Sequence, residues 1–300
     1  MRFTLRQLEV FLAVARNESV SRAALDLNMS QSAVSGALAD LENQFEVLLF
    51  ERIGKRLELS ELGRSLRARG QALEEQAEEF EGLLASQGGA GSLRVGATLT
   101  IGDYLIVPLV AQFMREREGA RATLHVANMA EIASKVKNFE LDLGLVEGEL
   151  VDPELDISPW CDDELVVFCA PSHPFAKKKT LSDADLKSAH WIVREQGSGT
   201  RQTFERAMYG IVTELSIGLA LQHIEAIKRA VQAGLGVGCI SRIALEQEFQ
   251  HCTLVPCQVP HRDFRRRFYF ALHKQKYRTP AVESWLALCR ERVGVADSTF

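Results

Sequence analysis

The spacing of apolar residues near the start of the chain predicts three short amphipathic helices. They cover residues 4–16, 20–27 and 30–42. Each has apolar side chains three or four positions apart, so that one face of the helix can be buried. Ser30 is a favourable N-cap for the third helix. The apolar stripe of that helix is formed by Val34, Leu38 and Leu41. Only two residues separate the second helix from the third, which is typical of a helix-turn-helix.

The outward face of the third helix carries short or amide-bearing groups, namely Gln31, Ser32, Ser35 and Gly36. The second helix of a helix-turn-helix enters the DNA major groove, so we expect these residues to meet base edges or phosphates. Two apolar runs between residues 45 and 59 then flank a glycine-containing tip and predict a hairpin wing. The basic residues of the wing, suited to phosphate contact, are Arg52, Lys55 and Arg56. The alternative is an ordinary three-helix bundle with a solvated basic loop.

A long polar helix with a narrow apolar seam follows over residues 61–86. The seam consists of Leu62, Leu66, Leu73, Ala77, Phe80 and Leu84. Its period is close to 3.5 residues, which favours pairing with a second copy of the same helix. The alternative is a linker helix packed on its own domain. Residues 87–92 are mostly small and predict a hinge.

Strand and helix patterns alternate from residue 93 to the end of the chain. This alternation indicates an α/β fold with a largely parallel sheet, in which ligands bind at the carboxyl ends of strands. Two loops, at 96–102 and 194–201, each lead from a strand into a helix and offer hydroxyl groups and free backbone N–H groups. Their candidate anion-binding residues are Thr98, Thr100, Ile101, Arg194, Ser198, Gly199 and Thr200. The alternative is ordinary capping of two helices.

Glu147 ends another predicted strand at the same edge and could touch a ligand directly or through a proton. The run Arg262, Arg265, Arg266 and Arg267 is typical of a solvated turn ahead of a strand, with a subunit contact as the alternative.

Composition narrows the function further. The net charge of −5 restricts any DNA binding to a local basic surface. No apolar run approaches the length of a membrane helix or a signal peptide, so we expect no membrane contact. The six cysteines lie in the second half without metal-ligand spacing, and structural thiols are the expected explanation, with a redox switch as the alternative. Gly197-Ser198-Gly199 lacks the pattern of a nucleophile elbow.

Five stretches of the N-terminal region together resemble the winged helix-turn-helix of LysR-type transcriptional regulators. They are residues 5–11, 23–24, 30–35, 41–42 and 49–52, with matching spacings. Ser32 stands where the family usually has proline. Further stretches, at 198–201, 224–228 and 234–238, resemble one branch of the family, which includes regulators of carbon fixation and a sulfite-linked regulator.

This resemblance implies a domain order. We expect a winged helix-turn-helix over residues 1–60, a dimerisation helix over 61–86, a hinge over 87–92 and an effector-binding domain over 93–300. The last should have two lobes, like a periplasmic binding protein. Lobe I would consist of residues 93–161 and 266–300, and lobe II of 162–265.

The resemblance also implies a function. We expect a cytoplasmic regulator, not an enzyme, that binds double-stranded promoter DNA as a dimer or as a tetramer made of two dimers. A small anion between the lobes, either a sulfur oxyanion such as sulfite or a small carboxylate, would modulate promoter contacts. RNA polymerase is a further candidate partner, and no cofactor or metal is expected. The alternatives are an enzyme on the same scaffold, with Ser198 or Glu147 catalytic, and a binding protein whose N-terminal unit contacts other proteins.

Overall fold

The structure of the protein, a computed structural model, describes residues 2–53, 56–84, 92–117 and 119–296. The N-terminal unit consists of helices α1 (Leu5–Asn17), α2 (Val20–Asp26) and α3 (Gln31–Phe45) and an antiparallel hairpin of β1 (Phe50–Ile53) and β2 (Arg56–Leu59). The prediction of three helices followed by a wing is therefore confirmed.

Side-chain caps fix where the first and third helices begin. The Thr4 side chain accepts a hydrogen bond from the backbone of Gln7, whose own side chain returns to the Thr4 backbone, so the two residues form a capping box. Ser30 caps α3 by accepting from the Ala33 backbone N–H. The buried residues of α3 are Val34, Leu38 and Leu41, as the sequence predicts. They pack on α1 and α2 in one N-terminal core.

Helix α4 (Glu61–Leu84) follows the wing directly. At 1.5 Å per residue its 24 residues extend about 36 Å. Gly70 lets α4 approach α1 closely, because a Cβ there would lie 3.1 Å from the Leu8 side chain. The last two residues of the predicted helix, 85 and 86, and residues 87–91 of the predicted hinge lie outside the described residues.

The C-terminal unit alternates strands and helices. Its strands in the described residues are β3 (Ser92–Thr98), β4 (Arg121–Ala127), β5 (Leu143–Glu147), β6 (Leu155–Cys169), β7 (His190–Arg194), β8 (Ser216–Leu221), β9 (Val237–Ser241), β10 (Val255–Cys257) and β11 (Arg265–His273). Its α-helices there are α5 (Leu99–Ile101), α6 (Val107–Glu116), α7 (Met129–Lys137), α8 (Asp183–Ser188), α9 (Gly199–Ala207), α10 (Ile224–Gln232), α11 (Glu246–Gln250) and α12 (Pro280–Ala296). A π-helical turn (Gly102–Ile106) joins α5 to α6, so three helical segments follow one another after strand β3. Short 3-10 turns lie at Pro174–Lys177, Val212–Glu214 and Arg242–Leu245.

The sheet is mixed, so the expectation of a largely parallel sheet was wrong. Its order is β4-β3-β5-β11-β6-β9-β7-β8, with β10 on β6. Strands β3, β4 and β5 are parallel, as are β7, β8 and β9, but every pairing made by β6 and β11 is antiparallel. The first part of β6 pairs with β11, and its last five residues pair with β9 and β10. Strand β6 therefore crosses from one lobe to the other. The sequence does not predict its full length, because Pro159 and a run of acidic residues interrupt its apolar pattern.

Separate apolar cores lie under the two lobes. Trp285 and Phe113 meet edge-on in the core of the first lobe, and Trp191 and Phe204 pack together in the second. Leu99 connects the two lobes, because it directly follows strand β3 of the first lobe but packs in a cluster with Ile192 and Ile224 of the second. Among the helices of the described residues, none has both the length and the apolar character needed to cross a membrane.

Candidate effector cleft and DNA interface

The first predicted loop begins where strand β3 ends. Thr98 is buried, makes no capping bond, and its Oγ1 has no hydrogen-bond partner. Thr100 is also buried, and its Oγ1 accepts a hydrogen bond of 3.4 Å from Arg266. Ile101 lies instead in the apolar core of the first lobe. Two threonines of this loop therefore offer buried hydroxyls, whereas Ile101 contributes packing.

The second predicted loop meets the first lobe at the start of helix α9. Gly197 has φ +84°, a left-handed conformation that favours glycine. Ser198 is buried without a partner for its Oγ. A Cβ on Gly199 would lie 1.7 Å from the Glu147 carbonyl oxygen, so only glycine allows α9 to approach the end of β5 so closely. The structure thus brings the two loops to one cleft between the lobes.

Arg266 lies at the centre of this cleft. Its guanidinium donates to Thr100 of the first loop and, at 3.0 Å, to Thr200 of the second. The same group lies 2.8 Å from Glu147 and 2.6 Å from Asp163. A single buried arginine therefore holds groups from both lobes.

The prediction that this arginine belongs to a solvated turn was wrong. The side chain of Arg266 is only 1 % exposed, whereas those of Arg265 and Arg267 are 82 % and 49 % exposed. The reason is the period of a strand, since alternate residues of β11 point to opposite faces. Arg266 faces inward with Phe268, opposite Asp163 in the register of β6. Arg266 and Phe268 are two positions apart, which is the period of one face of a strand. This spacing is the sequence signal that could have identified Arg266 as a buried strand residue.

Two buried carboxylates surround Arg266, so the cleft is not positively charged overall. The Glu147 Oε1 accepts 3.3 Å from the Thr200 hydroxyl, and the Asp163 Oδ1 accepts 2.7 Å from Ser241. One arginine facing two carboxylates leaves a formal charge of −1 on the group. Burial raises the pKa of nearby Asp103, with His223 and Arg194 opposing it. An anion could therefore bind here only if it carried a proton or if it displaced one of the two carboxylates.

Arg194 supplies a second buried cation. Its Nε and Nη2 bind Glu195 in a bidentate pair at 2.8 and 2.9 Å, while its Nη1 is buried without a partner. Buried polar groups in proteins are nearly always hydrogen-bonded. The unpartnered Arg194 Nη1, Thr98 Oγ1 and Ser198 Oγ therefore offer hydrogen bonds that a polar ligand can accept or donate. In the described residues no cluster of His, Cys, Asp and Glu could hold a metal.

The four residues of α3 predicted to face DNA are all exposed, namely Gln31, Ser32, Ser35 and Gly36. A Cβ on Gly36 would meet nothing within 4 Å, so this face is open. The first turn of α3 carries no acidic side chain, which leaves its positive helix end available to a phosphate. In the wing, Arg52 is exposed and Arg56 begins β2, while Lys55 lies outside the described residues.

Part of the predicted apolar seam of α4 is exposed in the single chain. Leu66 packs on the N-terminal core. By contrast Leu62, Leu73, Phe80 and Leu84 are 39 to 68 % exposed. The seam therefore serves two purposes, packing on the helix-turn-helix at one point and presenting apolar surface elsewhere.

The opposite face of α4 docks on the first lobe through buried charges that no sequence pattern indicates. Lys276 lies three residues after β11 and contacts Glu75 of α4 and, at 2.9 Å, Asp142. Arg94 binds Asp142 at 2.7 Å. Burial pushes the pKa of Asp142 upward, but Lys276 and Arg94 outweigh it and hold this pKa below its ordinary range. For Glu75, burial prevails and its pKa is raised despite Lys276.

Comparison with known protein families assigns both parts of the chain. A model described as a bacterial regulatory helix-turn-helix protein of the lysR family matches residues 5–64, and one described as the LysR substrate binding domain matches residues 86–294.

Whole-chain relatives are consistent with both matches. An uncharacterized HTH-type transcriptional regulator, YeiE, of Escherichia coli K12 is 39 % identical over 96 % of this chain and 98 % of its own. A RuBisCO operon transcriptional regulator of Allochromatium vinosum is 35 % identical over 94 % of each chain. Among solved structures, a full-length OxyR variant from Pseudomonas aeruginosa has a TM-score of 0.71, with 23 % identity over 97 % of this chain and 95 % of that one.

Proposed function

Because the chain belongs to the LysR family of DNA-binding transcriptional regulators with an effector-binding domain, we propose that it is controlled by a small anion bound between its two lobes. The observation that supports this most is the buried cleft around Arg266, with Thr100 on one side and Thr200 on the other. Its further donors are Thr98, Ser198, Gly199 and Arg194, which the proposed site includes. The effector class is a sulfur oxyanion such as sulfite, or a small carboxylate.

Glu147 restricts which anions this site accepts. Its carboxylate already occupies Arg266 and Thr200, which are the groups an anion would use. An effector must therefore displace Glu147 or share a proton with it, as a protonated oxyanion can. This favours anions with a pKa near neutrality, because they carry that proton without a large free-energy cost.

The effector proposal is tested by thermal unfolding of the full chain with sulfite, sulfate and acetate. A protonatable oxyanion should raise the melting temperature, because ligands that bind only the folded state stabilise it. Thr100→Val combined with Ser198→Ala should remove that increase. The matched control, Thr213→Val with Ser172→Ala, changes the same groups at exposed positions of the second lobe and should keep it. Full retention in the first variant would move the site elsewhere.

For DNA we propose that α3 lies in the major groove, with Gln31, Ser32, Ser35 and Gly36 at base edges or phosphates, and that Arg52, Lys55 and Arg56 of the wing contact phosphates. The exposure of the α3 residues supports this. Ser35→Glu should abolish promoter binding in a gel-shift assay, because a carboxylate would face the phosphates. Ser172→Glu adds the same charge far along the chain and should not. Equal binding by both variants would contradict the assignment of α3.

The wing is tested separately by salt dependence. Arg52→Ala should weaken binding to all sequences and reduce the slope of log K against log salt by about 1. Arg115→Ala, an exposed arginine of α6, serves as control. An unchanged slope in Arg52→Ala would exclude a phosphate contact.

We further propose that α4 pairs with α4 of a second copy, and that two dimers form a tetramer. The exposed apolar residues of α4 support this, because isolated apolar stripes of this kind are normally covered. Phe80→Glu should lower the molecular mass measured by light scattering. We propose the cytoplasm as its location, because a regulator must reach promoter DNA there, and RNA polymerase as a further candidate partner.

A further inference from the structure

Two cysteines far apart in sequence face each other inside the second lobe. Cys169 ends strand β6 and Cys257 ends strand β10, and their sulfur atoms are 3.5 Å apart. Both are buried, with 0 % and 6 % of their surface exposed. Along the sequence Cys252 and Cys257 are the nearest pair, but Cys252 is exposed.

The strand register explains why these two thiols meet. In the antiparallel pair, Cys257 lies opposite Val167 and Cys169 lies opposite Val255, so the cysteines are diagonal neighbours on one face. Diagonal neighbours are about 7–8 Å apart in a sheet, and these two short side chains turn toward each other to bring their sulfurs within 3.5 Å. A disulfide bond of about 2.0 Å requires the two sulfurs to approach by about 1.5 Å, which side-chain rotation and a small shift of a short strand can supply.

We propose that Cys169 and Cys257 are a redox modification site that a peroxide converts to a disulfide. The Cys257 thiol donates to the Cys169 sulfur and favours its thiolate, which makes Cys169 the nucleophile. Its sulfur attacks a peroxide oxygen: an S–O bond forms, the O–O bond breaks, and water or an alcohol leaves. The Cys257 sulfur then attacks the sulfenic sulfur, the S–S bond forms, and hydroxide leaves with the thiol proton as water. Two thiols lose two electrons, and the peroxide gains them.

Oxidant reaches the pair when strand β10 opens. Within the part of the chain that the structure describes, this three-residue strand pairs only with β6 and forms an edge. Short edge strands open locally far more readily than a domain unfolds. Oxidation should therefore be slower than at an exposed thiol, and the disulfide, once formed, should hold β10 on β6. This inference is independent of the proposed DNA and effector functions.

The test uses the full chain, prepared in reductant and then exposed to hydrogen peroxide. After denaturation and alkylation, the oxidised protein should take up two fewer alkyl groups and contain a linkage between Cys169 and Cys257. Its intact mass without alkylation should be about 2 Da lower, from the two hydrogens removed. Each of the two tryptic peptides also contains another cysteine: peptide 138–177 contains Cys161 beside Cys169, and peptide 243–262 contains Cys252 beside Cys257. Fragment-ion spectra are therefore needed to locate the bond.

Three single cysteine variants identify which thiols form the bond. Cys169→Ala and Cys257→Ala should each abolish the linkage, whereas Cys252→Ser, which removes the exposed cysteine, should leave it unchanged. Hydrogen exchange of the backbone amides of Val255 and Cys257 should slow on oxidation in the unmodified chain and not in Cys257→Ala. Cys239, which lies opposite Val167 on the other side of β6, is the competing partner. A linkage to Cys239 or Cys252, or oxidation to sulfinic acid without any linkage, would overturn the proposal.

Discussion

Replacing Arg266 by methionine should destabilise the protein far more than the same change at either neighbouring arginine. The substitution leaves Glu147 and Asp163 buried without their cation, since Arg266 contacts them at 2.8 and 2.6 Å with both partners at most 2 % exposed. Removing one partner of a buried ion pair costs about 3–5 kcal/mol. At ~2–4 °C per kcal/mol for a domain of this size, the melting temperature should fall by roughly 6–20 °C. Exposed ion pairs contribute about 0–1 kcal/mol, so Arg265→Met and Arg267→Met should change little.

Urea unfolding followed by tryptophan fluorescence measures this difference directly. All three tryptophans, Trp160, Trp191 and Trp285, lie in the C-terminal unit, so the signal reports on the unit that contains Arg266. A second set of variants separates charge from packing: Arg266→Met with Glu147→Gln and Asp163→Asn should recover much of the loss, because the unpaired charges are gone. If Arg266→Met destabilised the protein no more than Arg265→Met, or if the triple variant recovered nothing, unpaired buried charge would not be the cause of the loss.

Further predictions concern other parts of the molecule. Lys276→Met removes the nearest cation of Glu75 and leaves Asp142 paired with Arg94, so it should cost about 3 kcal/mol in urea unfolding, the lower end of the range for breaking a buried ion pair; Lys274→Met, at an exposed lysine nearby, is the control. Gly199→Ala forces α9 away from the Glu147 carbonyl and should reduce anion-induced thermal stabilisation several-fold. Burial lowers the pKa of His273, so the unfolded chain binds its proton more readily and stability should fall as the pH drops through about 6.5; His273→Phe should lessen the difference between melting temperatures at pH 7.5 and 5.5. Gly36→Ala should stabilise α3 by about 1 kcal/mol, so any loss of DNA affinity reports contact at this surface rather than unfolding.

The elements that the sequence predicted correctly are those that local chemistry controls. Ser30 caps α3 as expected, and the stripe of Val34, Leu38 and Leu41 is buried. The apolar spacing of α4 likewise locates a helix over almost its full predicted length. These successes share one physical basis, since capping and helical periodicity depend on residues within a few positions of one another.

Polar residues inside strands obscure the strand pattern of the sequence. The sequence predicts β6 only over residues 164–169, its apolar second part, and β11 only over 267–272, because acidic and basic side chains mask the strand pattern elsewhere. These are the two strands that cross between the lobes, and their charges pair with each other across the register, as Arg266 does with Asp163. The role of a polar residue at a buried strand position can be recognised only when its partner on the neighbouring strand is known.

The residues of the candidate sites fall into the same two groups, those that a local sequence pattern predicts and those that only the fold brings together. The chain alone specified the helix-turn-helix, the wing and the two hydroxyl-bearing loops, because each is a contiguous segment whose turn and cap residues act on their own backbone. Only the folded molecule revealed Arg266 between the lobes, Lys276 against α4 and the facing thiols of Cys169 and Cys257. Each of these joins residues that are 88 to 201 positions apart along the chain or lie on different lobes. Their free energy arises from burial and pairing across that separation, which no local pattern encodes.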